Sequence, residues 1–186
     1  RYLRIPMETK RGQILKYLNH IPEGVQLMDV QYGRIRGDIQ YPVFGVLGTD
    51  SQFEQIRTRL AQRGLEAQDV TMDDDVRFRM ISYDRVHITH PVFFVIEFPE
   101  RPGAFLEFMR VIGEYANLCY FNYQYSGEQV GRAMVGLEFQ TVADRDACRK
   151  LAEQMQGTTI QSIHEMPDDV RRRVLASMSP IQSETV

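Results

Sequence analysis

Apolar positions follow two rhythms along this chain, a helical one and an alternating one, and the same succession of rhythms occurs twice. Ile14, Tyr17, Leu18 and Ile21 stand at i, i+3, i+4 and i+7, which makes one apolar helical face. Phe105, Phe108, Met109 and Ile112 repeat that spacing at an offset of 105 − 14 = 91 positions. The same offset superposes Gly12 on Gly103, Leu15 on Leu106, Tyr32 on Tyr123, Gly45 on Gly136 and Leu60 on Leu151. After a slip of three residues, Asp74-Asp75-Val76-Arg77-Phe78-Arg79 answers Asp168-Asp169-Val170-Arg171-Arg172-Arg173. This is the pattern of a tandem duplication.

The second copy is the clearer one. Val92 to Phe98 is β-rich and ends at Pro99, which has no N–H to donate and closes the strand. A helix is predicted from Ala104 to Tyr115, then a hairpin of strands Leu118 to Tyr125 and Arg132 to Phe139 turning at Ser126-Gly127. Ala147, Leu151 and Met155 mark a second helix that Gly157 ends, and Thr158 to Ile163 reads as the last strand. The first copy gives the same order over Tyr2 to Ile5, Gly12 to His20, Val25 to Tyr32, Tyr41 to Leu47, Ser51 to Arg63 and Leu65 to Thr71, with Ser51-x-x-Glu54 as the capping box of its second helix. The expected fold is α+β: two tandem ferredoxin-like βαββαβ modules with antiparallel sheets, two helices on one face of each, packed together. The expected division is residues 1–82 for the first module, 83–90 for a linker, 91–173 for the second module and 174–186 for a tail.

Composition narrows the function classes. The 186 residues include 25 acidic against 22 Lys plus Arg, and 43% are hydrophobic, which describes a globular chain and not a disordered or fibrous one. A net charge of −3, with only Lys10, Lys16 and Lys150 as lysines, argues against a nucleic-acid partner, because phosphate binding draws on clustered cations. No apolar run approaches the ~20 residues that cross a bilayer, and Arg1-Tyr2-Leu3-Arg4 is no secretory signal, so the expected address is cytoplasmic with no membrane partner. A start at Arg1 fits a piece of a longer protein as well as one with upstream residues removed. Cys119 and Cys148 read as small buried hydrophobes.

Two places carry candidate chemistry. The first is the turn before the first helix of each copy: Pro99-Glu100-Arg101-Pro102-Gly103-Ala104-Phe105, and Pro6 to Gln13 with Gly12 at the same position. A helix start leaves backbone N–H groups unpaired, so it suits a small carboxylate, with Glu100, Glu8 or the carbonyl of Asn122 to receive an ammonium group. Such punctuation also serves simply to end a strand and start a helix. The second is the aromatic strand Tyr120 to Tyr125. Strict alternation puts Cys119, Phe121 and Tyr123 on one face with the counterparts Met28, Val30 and Tyr32, which reads as core, and leaves Tyr120, Asn122 and Gln124 opposite, with Leu27, Asp29 and Gln31. That mixed face suits water, a second layer or a small ligand.

Phe94 to Leu106, followed by Gly113-Glu114-Tyr115, Phe121-Asn122-Tyr123 and Gly131-Arg132, resembles the C-terminal regulatory region of biosynthetic threonine dehydratases (threonine ammonia-lyases), which consists of two ACT-like modules. Lys10-Arg11-Gly12 and Val30-Gln31-Tyr32 resemble the preceding module. The resemblance implies an allosteric amino-acid sensor, inhibited by isoleucine with valine opposing, attached to a separate catalytic domain that holds pyridoxal phosphate. No cofactor is expected in this chain. The tyrosine of the family's Phe-x-Tyr-Arg strand motif, implicated in effector binding, falls on Tyr123 and Tyr32, while Gln124 and Gly33 stand in place of the arginine. The expected effector-binding residues are Glu100, Arg101, Gly103, Ala104, Phe105, Asn122 and Tyr123, with Gly12, Asp29 and Tyr32 in the first copy. Open strand edges on two small modules point to a homo-oligomer.

Other readings compete. A freestanding ACT-like sensor or assembly module acting in trans keeps the fold without the parent enzyme. An RRM-like RNA binder shares the element order and uses sheet aromatics, for which Tyr120, Tyr123 and Tyr125 qualify, but Arg132 to Phe139 lacks the basic-aromatic third-strand motif. His87-x-x-His90 has no third metal ligand at motif spacing, and no nucleophile elbow occurs. Replacing Gly103 with Val is expected to abolish effector binding while leaving the fold largely intact.

Overall fold

A computed structural model of the protein describes residues 1–10, 12–22, 24–84, 91–99, 101, 103–124 and 130–177. The first copy folds as β1 (Tyr2–Arg4), β2 (Met7–Glu8), α1 (Gln13–Leu18), β3 (Gln26–Gly33), β4 (Ile39–Gln40), β5 (Val43–Leu47), α2 (Asp50–Ala61), β6 (Gln68–Asp69) and α3 (Asp74–Arg77). The second folds as β7 (Val92–Pro99), α4 (Ala104–Ile112), β8 (Asn117–Gln124), β9 (Val130–Glu138), α5 (Val142–Met155), β10 (Ser162–Glu165) and α6 (Asp168–Ser177). The strand orders β6-β1-β5-β3 and β10-β7-β9-β8 are the same order in the two copies, and every ladder is antiparallel. The ferredoxin-like reading of each copy therefore holds. The predicted hairpin turn at Ser126-Gly127 lies outside the described residues.

The copies are not merely packed together. β3 pairs with β8, so the two sheets become one sheet of eight strands, and Gln31 stands opposite Asn122. These two are the same position of the repeat, since 122 − 31 = 91. Val30 faces Tyr123 and Tyr32 faces Phe121, so the ladder reads identically from either strand and a pseudo-twofold axis runs through the Gln31–Asn122 pair. On the helical side Arg110 Nη2 donates to Asn19 Oδ1 at 3.4 Å, again residues 110 − 19 = 91 apart, so the axis continues between α1 and α4.

The helices α1, α2, α4 and α5 bury their apolar faces in a single core that crosses the seam, from Leu3, Phe44 and Leu60 through Val30 and Phe121 to Ile96, Phe108 and Cys148. α2 is capped by Thr49, whose Oγ1 accepts from the Gln52 N–H at 3.2 Å while Gln52 Oε1 accepts from the Thr49 N–H at 2.8 Å. The capping box thus sits two residues ahead of the expected Ser51-x-x-Glu54. The last strand likewise falls at Ser162–Glu165 and not at Thr158 to Ile163.

The register corrects the expected face of Cys119. β8 has a bulge between Leu118 and Tyr120, and β3 has one between Leu27 and Asp29, at the matching place. An extra residue in a strand turns the side chains before it to the other face. Leu118 and Leu27 consequently join the core under the helices, whereas Cys119 packs on the opposite face with Tyr83, Phe93, Tyr120 and Met166.

That opposite face is covered. Residues 70–84 run across it as a strap, fixed by Val70 N–H to Tyr2 O at 3.0 Å and by Asp84 N–H to Arg34 O at 2.8 Å. Tyr83 plugs its far end, edge-on to Phe93 and Tyr120 at centroid distances of 5.9 and 5.8 Å. At its middle Arg79 adopts a left-handed conformation, φ 53°, which costs a non-glycine residue on the order of 1 kcal/mol. The geometry aims its guanidinium at the seam: Nη1 pairs with Asp29 Oδ2 of the first copy at 2.5 Å, and Nη2 donates to Asn122 Oδ1 and, at 3.3 Å, to Tyr123 O of the second. Asp29 is nearly fully buried and also accepts from Tyr2 Oη and Gln31 Nε2 on the same oxygen.

Three substitutions test this layer. A Cβ at Gly33 would lie 1.9 Å from Ser82 O, so Gly33→Ala should lower unfolding free energy by about 2 kcal/mol or more in urea titrations followed by circular dichroism. Arg79→Met strands a buried carboxylate and should cost about 3 kcal/mol in the same assay, with much of the loss recovered when Asp29→Asn is added.

Candidate functional site

Beneath α4 and across the seam lies a cavity of about 410 Å³. Its second-module wall is Phe98, Arg101, Gly103, Ala104, Phe105, Leu106 and Tyr123; its first-module wall is Leu18, Ile21, Val25 and Leu27, from the end of α1 and the start of β3. The volume falls in the range of small-molecule sites, and the lining is mainly apolar with polar groups at one end, the usual design of such a site. Its lining rings Phe98, Phe105 and Tyr123 are linked by contacts, partly through the buried Phe121: Phe98 meets Phe105 edge-on at 6.0 Å, Phe105 stacks on Phe121 at 4.2 Å, and Phe121 stacks on Tyr123 at 6.3 Å.

The polar end is the mouth of α4. Gly103 is the residue before its first turn, with φ 84°, and no side chain caps it. Gly12 takes φ 70° at the matching point before α1. A Cβ at either glycine would meet nothing within 4 Å, so the left-handed backbone alone selects glycine in both copies. That corrects the expectation for Gly103→Val: a β-branched residue strains this turn, so the variant perturbs the fold as well as the mouth. Arg101 lies at the rim, where its guanidinium makes a bidentate pair with Glu107 at 2.8 and 2.6 Å. The bond from Arg101 holds the Glu107 carboxyl below its usual range. The mouth thus offers the helix start and a guanidinium that Glu107 already engages.

Of the residues singled out from the sequence, Arg101, Gly103, Ala104, Phe105 and Tyr123 converge on this cavity. Glu100 lies outside the described residues. Asn122 and Asp29 do not join the mouth: alternation along β8 and β3 turns them to the strapped face, where both bind Arg79. Gly12 and Tyr32 belong to the mirror position at the start of α1. Tyr32 is buried there, and loss of solvent raises its phenol well above the usual value. Leu18, Ile21 and Val25 are residues the sequence reading missed, because they read as parts of an apolar helical face and a strand, and Leu27, read onto the opposite face, reaches the cavity through the β3 bulge. The available signal was the repeat itself, since only edge-to-edge pairing of equivalent strands brings them against Phe105.

Near the mirror position is an open groove of about 520 Å³ lined by Thr9, Lys10, Arg34, Asn117, Glu138, Phe139 and Gln140. Its charges are already paired: Arg34 with Glu138 and Lys10 Nζ with Glu8 at 2.7 Å.

The sheet aromatics do not present a base-stacking platform. Tyr120 is buried under Tyr83, Tyr123 faces the helices, and Tyr125 lies outside the described residues, as do His87 and His90. Among the described residues no helix is long and apolar enough to cross a membrane.

Residues 84–175 match the family model of the C-terminal regulatory domain of threonine dehydratase. The match takes in 175 − 84 + 1 = 92 of the 186 residues, nearly all of the second copy. Over 172 residues, 89% of this chain, it is 28% identical to L-threonine dehydratase biosynthetic IlvA of Pasteurella multocida. Over 99 residues it is 26% identical to the mitochondrial threonine dehydratase of Saccharomyces cerevisiae, and over 88 residues 28% identical to L-threonine dehydratase biosynthetic IlvA of Escherichia coli. The chain spans about a third of the Pasteurella protein, 33%, and the matches take in 17% of each of the other two. The regulatory-domain match begins within the strap, so the half of the chain with the weaker motifs is reached by the Pasteurella alignment.

Burial also defines the two thiols of this chain. Both cysteines are buried, which pushes the Cys148 thiol up to about 12 and raises that of Cys119 strongly. Thiolate is the reactive form. Native protein at pH 8 should therefore react with Ellman's reagent slowly at both sites, and with two equivalents at once in guanidinium chloride.

Proposed function

We propose that this chain is the amino-acid-sensing regulatory region of a threonine dehydratase and that it binds isoleucine, and in competition valine, in the seam cavity. The observation that carries the reading is the cavity's two-ended chemistry: a mainly apolar chamber large enough for a whole small amino acid, bordered at one end by an uncapped helix start, where a carboxylate meets backbone N–H groups and the positive end of the α4 dipole. Leu18, Ile21, Leu27 and Phe105 would hold the branched side chain. Tyr123 would bridge the two ends.

Isoleucine and valine differ by one methylene, about 0.8 kcal/mol or fourfold in affinity when buried. Opposed effects therefore need two conformations with unequal preference for the two ligands, and the chamber has walls from both modules, so a change in the seam alters its width. The partners in this reading are the free amino acid, a catalytic domain and further copies of the chain.

Pyridoxal phosphate does not fit these residues. Lys10, Lys16 and Lys150 are all exposed, and none lines the seam cavity. The cofactor would belong to the catalytic domain, and this chain's task would be to shift that domain's equilibrium through the seam.

Isothermal titration with L-isoleucine should give saturable binding at submillimolar concentration. Ile21→Ala, at a half-buried position, should weaken it about tenfold, the share of buried methylenes it removes. Titration heats and melting temperatures unmoved by isoleucine and valine alike would overturn the reading.

A further inference from the structure

The pseudo-twofold axis through Gln31 and Asn122 requires every feature on one side of the seam to have a mirror position on the other. The mirror of the seam cavity is the start of α1 against the end of α4 and the start of β8. Adding 91 converts Leu18 to Met109, Ile21 to Ile112 and Leu27 to Leu118, and subtracting it converts Ala104 to Gln13, Phe105 to Ile14 and Tyr123 to Tyr32. We infer that the chain holds one apolar amino-acid site and not two, the mirror position being closed by its own side chains, with Gln13 standing where Ala104 leaves room. This rests on the amino-acid-binding reading above.

The closure is visible in burial. Ile112, Leu118 and Tyr32 are 0%, 4% and 3% exposed, whereas their counterparts Ile21, Leu27 and Tyr123 are only half-buried and line open space. Gln13 extends a carboxamide arm from the position at which Ala104 offers a methyl group. The ribbon of β2 on β4 adds a lid: Thr9 N–H donates to Asp38 O at 2.9 Å, and Thr9 Oγ1 donates to Asp38 O at 3.1 Å, beside the α1 mouth. What opens near the mirror position is the groove between Lys10 and Glu138, and its ion pairs would have to be broken and desolvated to seat an aliphatic side chain. The backbone is symmetric; the chamber is not.

Isoleucine titration of the protein, with Gln13→Ala and Ala104→Gln variants alongside, decides between one site and two. One equivalent per chain is expected. Ala104→Gln should weaken binding at least tenfold with its melting temperature kept within a few degrees of the parent, and Gln13→Ala should leave affinity within twofold. Two equivalents in the parent protein would overturn the single site, as would a tenfold loss in Gln13→Ala with Ala104→Gln unaffected; either outcome leaves the amino-acid-binding reading standing. Should Ala104→Gln fail to fold, the parent stoichiometry and the Gln13→Ala affinity decide the question between them. Absence of saturable binding to isoleucine and valine in all three proteins would instead remove both inferences together.

Discussion

The structure depends on one ladder of hydrogen bonds, the antiparallel pairing of β3 with β8. Both strands are the same segment of a repeated unit, and an antiparallel ladder centred on equivalent residues is self-complementary, the rule that governs the interface of a twofold dimer. Here that interface is internal to a single chain. It removes the inner edge of each four-stranded sheet, merges two cores into one, and sets the end of α1 against the start of α4. Without this ladder the seam cavity has only one wall.

Placing a twofold interface inside one chain has a chemical consequence. In a dimer of identical subunits a substitution appears at both mirror positions; in a tandem repeat each can change alone. Ala104 and Gln13 occupy the same backbone position, as do Tyr123 and Tyr32, yet Ala104 and Tyr123 border open space while Gln13 and Tyr32 are packed against their neighbours. An apolar chamber thus persists on one side, while a groove of paired charges occupies the other.

The sheet's second face explains two features that the family motif leaves unaccounted for. Gly33 stands where the motif has arginine because the strap carbonyl of Ser82 occupies the space any side chain would need. A guanidinium nevertheless reaches this face, supplied from the strap by Arg79, and its bonds to Asp29, Asn122 and the Tyr123 carbonyl tie both modules together directly behind the chamber. Buried charge of this kind contributes little net stability and much geometric definition when every partner is placed, because the alternative arrangements leave a carboxylate unpaired. The seam is therefore braced from both sides, by Arg110 with Asn19 among the helices and by Arg79 on the strapped face.

The sequence by itself determined the duplication, the βαββαβ order and the helix mouths at Gly12 and Gly103, because periodicity, punctuation and positive-φ glycines are local properties written in consecutive residues. It also pointed to Arg101, Ala104, Phe105 and Tyr123, which lie on one turn and one strand of the same module. Only tertiary structure decided the rest. The bulges at Met28 and Cys119 reverse an alternation that looks regular in one dimension, and so move Cys119 to the far face. Asp29 and Asn122 were drawn to Arg79 by a strap whose path no periodicity describes, and Leu18, Ile21 and Leu27 became a wall only when two strand edges met. These are contacts between residues distant in sequence, whose free energy depends on which edges pair and at what register, and a linear pattern does not contain that choice.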